Sequence, residues 1–278
     1  MLERLLPQGG LAEARLHDAM RYGALGGGKR LRPFLVMGAA SLFNVDETRA
    51  LRTAAAVECI HCYSLVHDDL PAMDNSDLRR GKPTVHKHYD DATAILAGDA
   101  LLTYAFEILA DPLTHEDPHV RCALVAELAR ASGAQGMVGG QMLDLIAEKT
   151  QLDIGAITRL QRMKTGELIA ASAVMGGLLG KAGPQAHQAL RNYAHALGLA
   201  FQIIDDLLDH EGTEAETGKS VQRDAAAGKA TFVTILGTDR ARAQAELLSE
   251  QAIQHLAMFS GRAQSLADVA RFVVQRRG

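Results

Sequence analysis

Apolar residues recur every three or four positions along most of this chain, the spacing that lays a hydrophobic stripe on one side of an α-helix. The pattern predicts helices over Leu11–Tyr22, Leu31–Phe43, Glu47–Asp69, Ala92–Leu109, Val120–Ser132 and Met137–Glu148. It continues over Ile154–Leu179, Gln185–Asp209, Thr231–Leu236, Ala241–Phe259 and Ala263–Arg276. No segment sustains the two-residue alternation of a half-buried strand. Breaks at Gly26–Gly28, Arg80–Pro83, His115–Pro118 and Gly183-Pro184 are short, so the expectation is long helices in a single all-α domain spanning 1–278. The stretches 154–179 and 185–209 are apolar almost all round, which predicts burial inside a many-helix bundle. The least hydrophobic segment, Glu211–Gly228, reads as a mobile polar loop.

Composition narrows this picture. With 278 residues and 47% apolar content the chain can bury a substantial core, which excludes disorder. Aromatics are only 4%, and an alanine- and leucine-rich composition favours helices over strands. A net charge of −4 excludes a strongly basic nucleic-acid binder. Three cysteines cannot build a disulfide framework, and the opening MLERLLPQGG lacks a signal-peptide core, so a reducing, cytoplasmic setting is expected. The longest uncharged apolar stretch, about Leu168–Gly180, falls short of the roughly 20 residues of a membrane span.

The candidate chemistry lies in two aspartate clusters. In Val66-His67-Asp68-Asp69-Leu70-Pro71-Ala72-Met73-Asp74, three carboxylates follow a long apolar helix, and Pro71 favours a break that could fold Asp74 back toward Asp68. In Phe201-Gln202-Ile203-Ile204-Asp205-Asp206-Leu207-Leu208-Asp209, Asp205 and Asp209 stand four apart on one helix face. One such cluster could be a solvated acidic surface. Two, each ending an apolar helix, concentrate repelling charge that a cation must offset. Hard oxygen donors favour Mg²⁺, which is commonly completed by water and substrate phosphates.

Basic residues gather at chain breaks: Lys29, Arg30 and Arg32 after three glycines, Arg79, Arg80 and Lys82 after the first cluster, then Lys164, Lys219 and Lys229. Carboxylates with several Lys and Arg suit a metal-bridged diphosphate, and the number of cations suggests two phosphorylated substrates. Gly23–Lys29 approaches a nucleotide phosphate loop, but Arg30 replaces the required Ser or Thr and no strand precedes it. Cys59-Ile60-His61-Cys62 lacks a second pair for zinc and reads as core. His67-Asp68 could belong to an HD-type phosphohydrolase, a reading that leaves the second cluster and the cations idle.

Together GGKRLRP (27–33), DDLPAMD (68–74), RRGKPT (79–84), GGQMLD (139–144), KTGEL (164–168) and FQIIDDLLD (201–209) resemble the trans-isoprenyl diphosphate synthases, most closely the bacterial farnesyl and geranyl diphosphate synthases. The resemblance covers nearly the whole chain. It implies the isoprenoid synthase fold, a single all-α bundle with a deep central cavity, working as a homodimer. The implied reaction joins isopentenyl diphosphate head-to-tail to an allylic diphosphate. By resemblance, Asp68, Asp69, Asp74, Asp144, Asp205 and Asp209 would hold Mg²⁺, three ions per site with diphosphate bound. Arg79, Lys164, Lys219 and Lys229 would neutralise the allylic diphosphate, while Thr165 and Gln202 face the allylic cation. Lys164, Thr165 and Gln202 are thus the catalytic candidates, with no protein acid or base nominated. Lys29, Arg32, His61 and Arg80 would bind isopentenyl diphosphate.

Tyr63, with Ser64 beside it, stands about one turn before Asp68 and would floor the isoprenoid channel, which implies a C15 product with C10 the nearest competitor and C20 next. Two departures from the family pattern are the short beginning, which reads as a shortened N-terminal helix, and Asn75-Ser76 where the family is often more acidic. A terpene cyclase would replace the second cluster with an Asn/Ser/Glu-type motif, absent here, and a non-catalytic subunit of a heteromeric synthase need not keep both clusters.

Overall fold

The computed structural model describes residues 1–10, 12–147, 150, 152–211 and 231–276. The described residues are overwhelmingly helical. Short helices α1 (Leu2–Leu5) and α2 (Ala14–Leu25) lead into α3 (Leu31–Ser41), α4 (Glu47–Asp68), α5 (Val85–His88), α6 (Asp91–Ala110) and α7 (Pro118–Ser132). Then follow α8 (Met137–Ala147), α9 (Ile154–Gln161), α10 (Glu167–Leu179), α11 (Pro184–Glu211), α12 (Phe232–Leu236), α13 (Thr238–His255) and α14 (Gln264–Gln275). The chain divides into two compact units, Met1–Met37 with Asp46–Val125, and Gly38–Val45 with Ala126–Gly278.

In the first unit α4 packs along α6. The contact is built from small residues, with Ala56 and Val57 of α4 and Ala94, Ala97, Leu101 and Ala105 of α6 fully buried. Asp46 caps α4 by accepting from the Thr48 and Arg49 amides at 3.0 and 3.2 Å. Arg52, buried within α4, is matched by Asp111 at 2.5 Å and Thr114 at 2.9 Å.

In the second unit α10 is the innermost helix, every residue from Leu168 to Gly177 being buried. Each fully buried Leu, Ile or Met there contributes roughly 1.5–3 kcal/mol relative to exposure. Helix α11 lies between α10 and α13. The wholly buried Tyr193 on α11 donates from its hydroxyl to the Leu266 carbonyl at 2.8 Å, fixing α14.

Three expectations change. The helix expected over 154–179 is interrupted by a π-helical turn, Arg162–Gly166, and only its second half is buried all round, since α9 exposes one side. A two-stranded antiparallel hairpin, β1 (Leu78–Arg79) with β2 (Lys82–Pro83), occupies the predicted break, because Arg80 (φ 53°) and Gly81 (φ 74°) accept the positive φ that a two-residue hairpin loop demands. Helix α6 is long and apolar enough to cross a membrane by length and composition, which the sequence reading missed by requiring an uncharged run. It carries Asp99 and Glu107 and packs one face on α4, as a core helix does. The polar loop expected over 211–228 lies outside the described residues from 212 onward.

Candidate active site

Helix α4 is buried from Arg52 to Ile60, and in its last two turns residues 61, 64, 65, 67 and 68 become partly exposed and open a largely polar stripe ending at Asp68. Pro71 then stops the helix. The chain doubles back: the Asp74 amide donates to the Asp68 carbonyl at 2.8 Å and the Ser76 amide to the Asp69 carbonyl at 3.2 Å. The expected folding of Asp74 toward Asp68 is therefore present in the backbone.

Asp69 takes a different position from its neighbours. It is 2% exposed and committed to Arg79, whose Nε donates to its two oxygens at 2.9 and 2.7 Å and whose Nη2 donates at 2.6 Å. A forked guanidinium satisfies a buried carboxylate in this way better than an ammonium could. Asp69 thereby orients Arg79, and Asp68 and Asp74 are the carboxylates of this cluster left on the more exposed side.

Tyr63 is buried, its ring edge-on to His67 with centroids 5.8 Å apart. Burial, then the charge of Asp68, pushes its hydroxyl up to about 12. Ser64 turns its hydroxyl back to the His61 carbonyl at 2.9 Å.

Cations of the first unit converge near His61. The 26–30 loop carries Lys29 and leads into α3, whose second residue is Arg32, and its backbone takes positive φ at Gly27 (91°), Gly28 (115°) and Arg30 (50°). Arg80, at the hairpin tip, donates to the Gly27 carbonyl. A Cβ on Gly28 would lie 2.5 Å from the Arg80 guanidinium, so a side chain there would displace that group. Burial, reinforced by Arg32, Arg80, Arg79 and Arg30, lowers His61 well below the usual histidine range. His61 is thus a neutral hydrogen-bonding group in a strongly positive setting, an arrangement suited to an anion.

In the second unit Lys164 sits on the π turn and reaches Asp144 of α8 at 2.7 Å. Gly140 permits that approach, since a Cβ on it would fall 2.2 Å from the Lys164 amide nitrogen. Thr165 follows, 9% exposed. The π turn meets α11 at Gly166 and Gly198, one turn ahead of Gln202. Gln202, Asp205 and Asp209 lie along one face of α11, and the Gln202 amide points to Asp205 Oδ2 at 3.4 Å. Asp206 faces inward and accepts from the Phe232 amide at 3.0 Å, anchoring α12. Lys219 and Lys229 lie outside the described residues.

Three participants escaped the sequence reading. Glu58, 2% exposed in the middle of α4, is paired with Arg30. A lone carboxylate inside TAAAVECIHCYSLV was the available signal, since a buried charge demands a partner. Asp206 was hidden among its neighbours. Arg276, which contacts Asp205, had no signal at all.

Carboxylate oxygens are the donor chemistry Mg²⁺ prefers, and the pairing of Asp68 with Asp74 at a helix end and of Asp205 with Asp209 along one face fits an ion that keeps most of its waters. Among the described residues no group of three or more His, Cys, Asp or Glu encloses a metal position. Such an ion would take part of its shell from a bound phosphate.

Comparison with known proteins agrees on one relationship. The polyprenyl synthetase family model matches residues 13–265. Farnesyl diphosphate synthase of Escherichia coli (strain K12) is 47% identical over 264 residues, covering 93% of this chain and 88% of the relative. A crystal structure of an FPP/GFPP synthase from Zymomonas mobilis superposes with a TM-score of 0.90 at 50% identity, covering 98% of this chain and 93% of that one. Geranyltransferase from Helicobacter pylori, complexed with magnesium and isoprenyl diphosphate, gives a TM-score of 0.86 at 34% identity, covering 99% and 91%.

Proposed function

Because this chain belongs to the polyprenyl synthetase family and is a prenyltransferase, we propose that it condenses isopentenyl diphosphate with dimethylallyl and geranyl diphosphates to give farnesyl diphosphate. The observation that carries the C15 product is Tyr63, a buried ring one turn before Asp68, where a growing tail would be stopped. The Escherichia coli relative supports the same length.

In this reading Asp68, Asp74, Asp205, Asp209 and Asp144 hold Mg²⁺, three ions when diphosphate is bound, with Asp69 contributing through Arg79. The magnesium in the Helicobacter pylori structure supports the metal assignment. Bound Mg²⁺ would supply Lewis-acid stabilisation of the departing diphosphate. Arg79 and Lys164, with Lys219 and Lys229, neutralise the remaining charge and lower the barrier to ionisation. Thr165 and Gln202 turn oxygens toward the allylic cation, which survives where water is kept out. Lys29, Arg32, Arg80 and the neutral His61 hold the diphosphate of isopentenyl diphosphate, placing its double bond for attack. The proton lost afterwards goes to the released diphosphate, so no protein base is assigned. The working protein is a cytoplasmic, single-domain homodimer.

The test is an assay with labelled isopentenyl diphosphate and each of the C5, C10 and C15 allylic diphosphates. Mg²⁺-dependent release of diphosphate that requires both substrates, ending at C15, is expected. Release from the allylic substrate alone would indicate a cyclase-like enzyme, and a C10 or C20 end product would revise the length.

A further inference from the structure

A carboxylate in the middle of an apolar helix is costly unless its partner gives more than neutralisation. Glu58 is 2% exposed, and Arg30 donates to its Oε1. The same guanidinium donates from Nη2 to the Ala24 carbonyl at 3.0 Å, near the end of α2. Below the pair lies Cys62, its sulfur 3.9 Å from the Ala24 carbonyl and 4.0 Å from Glu58 Oε1. Arg30 therefore ties three chain segments together: the end of α2, the middle of α4, and its own loop.

That loop needs tying. Arg30 holds a left-handed backbone at φ 50°, a conformation unfavourable for a residue with a Cβ, one residue beyond Gly27 and Gly28 at 91° and 115°. Lys29 and Arg32 flank it, so the backbone direction at Arg30 sets where both side chains leave the chain. On the other side Arg80 fastens the loop at Gly27. The loop is thus clamped between two guanidiniums. Arg80 belongs to the proposed isopentenyl diphosphate site, whereas Arg30 faces a buried carboxylate.

We propose that Glu58 is a positioning residue for isopentenyl diphosphate: through Arg30 it holds the 26–30 loop and the start of α3 in the conformation that presents Lys29 and Arg32 to the diphosphate. The proposal rests on the assignment of Lys29 and Arg32 to that substrate. It predicts a split between substrates, because the side-chain hydrogen bonds of Glu58 and Arg30 run to each other, to the Ala24 carbonyl and to Cys62.

The experiment measures KM for isopentenyl diphosphate, KM for geranyl diphosphate and kcat, with thermal unfolding alongside. Glu58→Gln keeps the shape and loses the charge. It should raise KM for isopentenyl diphosphate about tenfold, the weight of one charge-assisted hydrogen bond, while the other two constants stay within about twofold. A Glu58→Leu, Arg30→Leu double variant replaces the pair by apolar groups and protects against a folding defect; it should show the same split. Lys29→Ala serves as the reference for the site itself. If Lys29→Ala raises the isopentenyl KM and the Glu58 variants do not, the positioning role is overturned. If both KM values and kcat shift in step with lost thermal stability, the pair is only structural and the proposal also fails. If Lys29→Ala leaves the isopentenyl KM unchanged, the underlying site assignment fails and the inference falls with it.

Discussion

Arg276 Nη2 lies 2.5 Å from Asp205 Oδ1, and the guanidinium rests over the Phe201 ring, 4.1 Å from its centroid. The arginine side chain is the buried partner, 2% exposed against 43% for Asp205. The second aspartate cluster therefore already has a cation at its first carboxylate. On the proposed assignment of Asp205 to Mg²⁺, the ion and Arg276 would compete for that oxygen. Replacing Arg276 by Gln should lower the Mg²⁺ concentration at half-maximal activity by about two- to fivefold, a modest effect because Asp205 is partly solvated. Calorimetric titration of Mg²⁺ in the presence of inorganic diphosphate gives an independent reading. A rise in the Mg²⁺ requirement would mean that Arg276 orients Asp205 for the metal.

Tyr63→Ala should lengthen the product beyond C15, with the distribution read by reversed-phase chromatography of the dephosphorylated alcohols. The ring is buried against His67, so truncation also costs about 3 kcal/mol of stability, measurable by urea unfolding. An unchanged product distribution would remove Tyr63 as the channel floor.

The suppressed basicity of His61 links stability to acid. Its usual value is 6.5, and burial followed by the charges of Arg32, Arg80, Arg79 and Arg30 lowers it well below that. As pH falls through 6.5 the unfolded chain binds a proton that the folded chain refuses, so this contribution is complete above 6.5 and shrinks below it. In His61→Gln the loss of unfolding free energy between about pH 7.5 and about pH 5 should be smaller than in the parent by up to about 2 kcal/mol. Equal losses in both proteins would show that other groups carry the acid sensitivity.

Thiol labelling separates core from surface. Burial, then the charge of Glu58, pushes Cys62 up to about 12, and burial raises Cys59 as well, whereas Cys122 is exposed. At pH 8 an aromatic disulfide reagent should titrate one thiol rapidly in the native protein and all three in denaturant. Rapid reaction of two or three native thiols would contradict the core placement of the CxxC pair.

Much of this architecture was legible before any coordinates. Helical periodicity located α3, α4, α6 and α11 to within a few residues, because each buries a continuous apolar face. The return of Asp74 toward Asp68 followed from Pro71, a local constraint that sequence expresses directly. What periodicity could not convey was partner choice. Asp68 and Asp69 are adjacent and identical in type, yet one edges the polar stripe and the other is buried on Arg79, a distinction made by the hairpin ten residues on. The Arg276–Asp205 contact joins residues 71 apart, beyond any spacing rule. The π turn was equally hidden, since RMKTG carries no proline and its single glycine, Gly166, is one that a helix interior can tolerate.

That π turn makes residue count, and not only residue identity, a determinant of where Lys164 sits. A five-residue turn is an α-helical turn with one residue too many. Deleting a single position such as Met163 would let the helix close with ordinary geometry, yet each α-helical residue advances the chain by about 100°, so everything after the deletion would be rotated against α8. Lys164 would keep its chemistry and lose its address at Asp144. A homologue that changes length between Arg162 and Gly166 would have to rebuild the α8 contact at Gly140 as well, whereas one that merely changes side chains there would not.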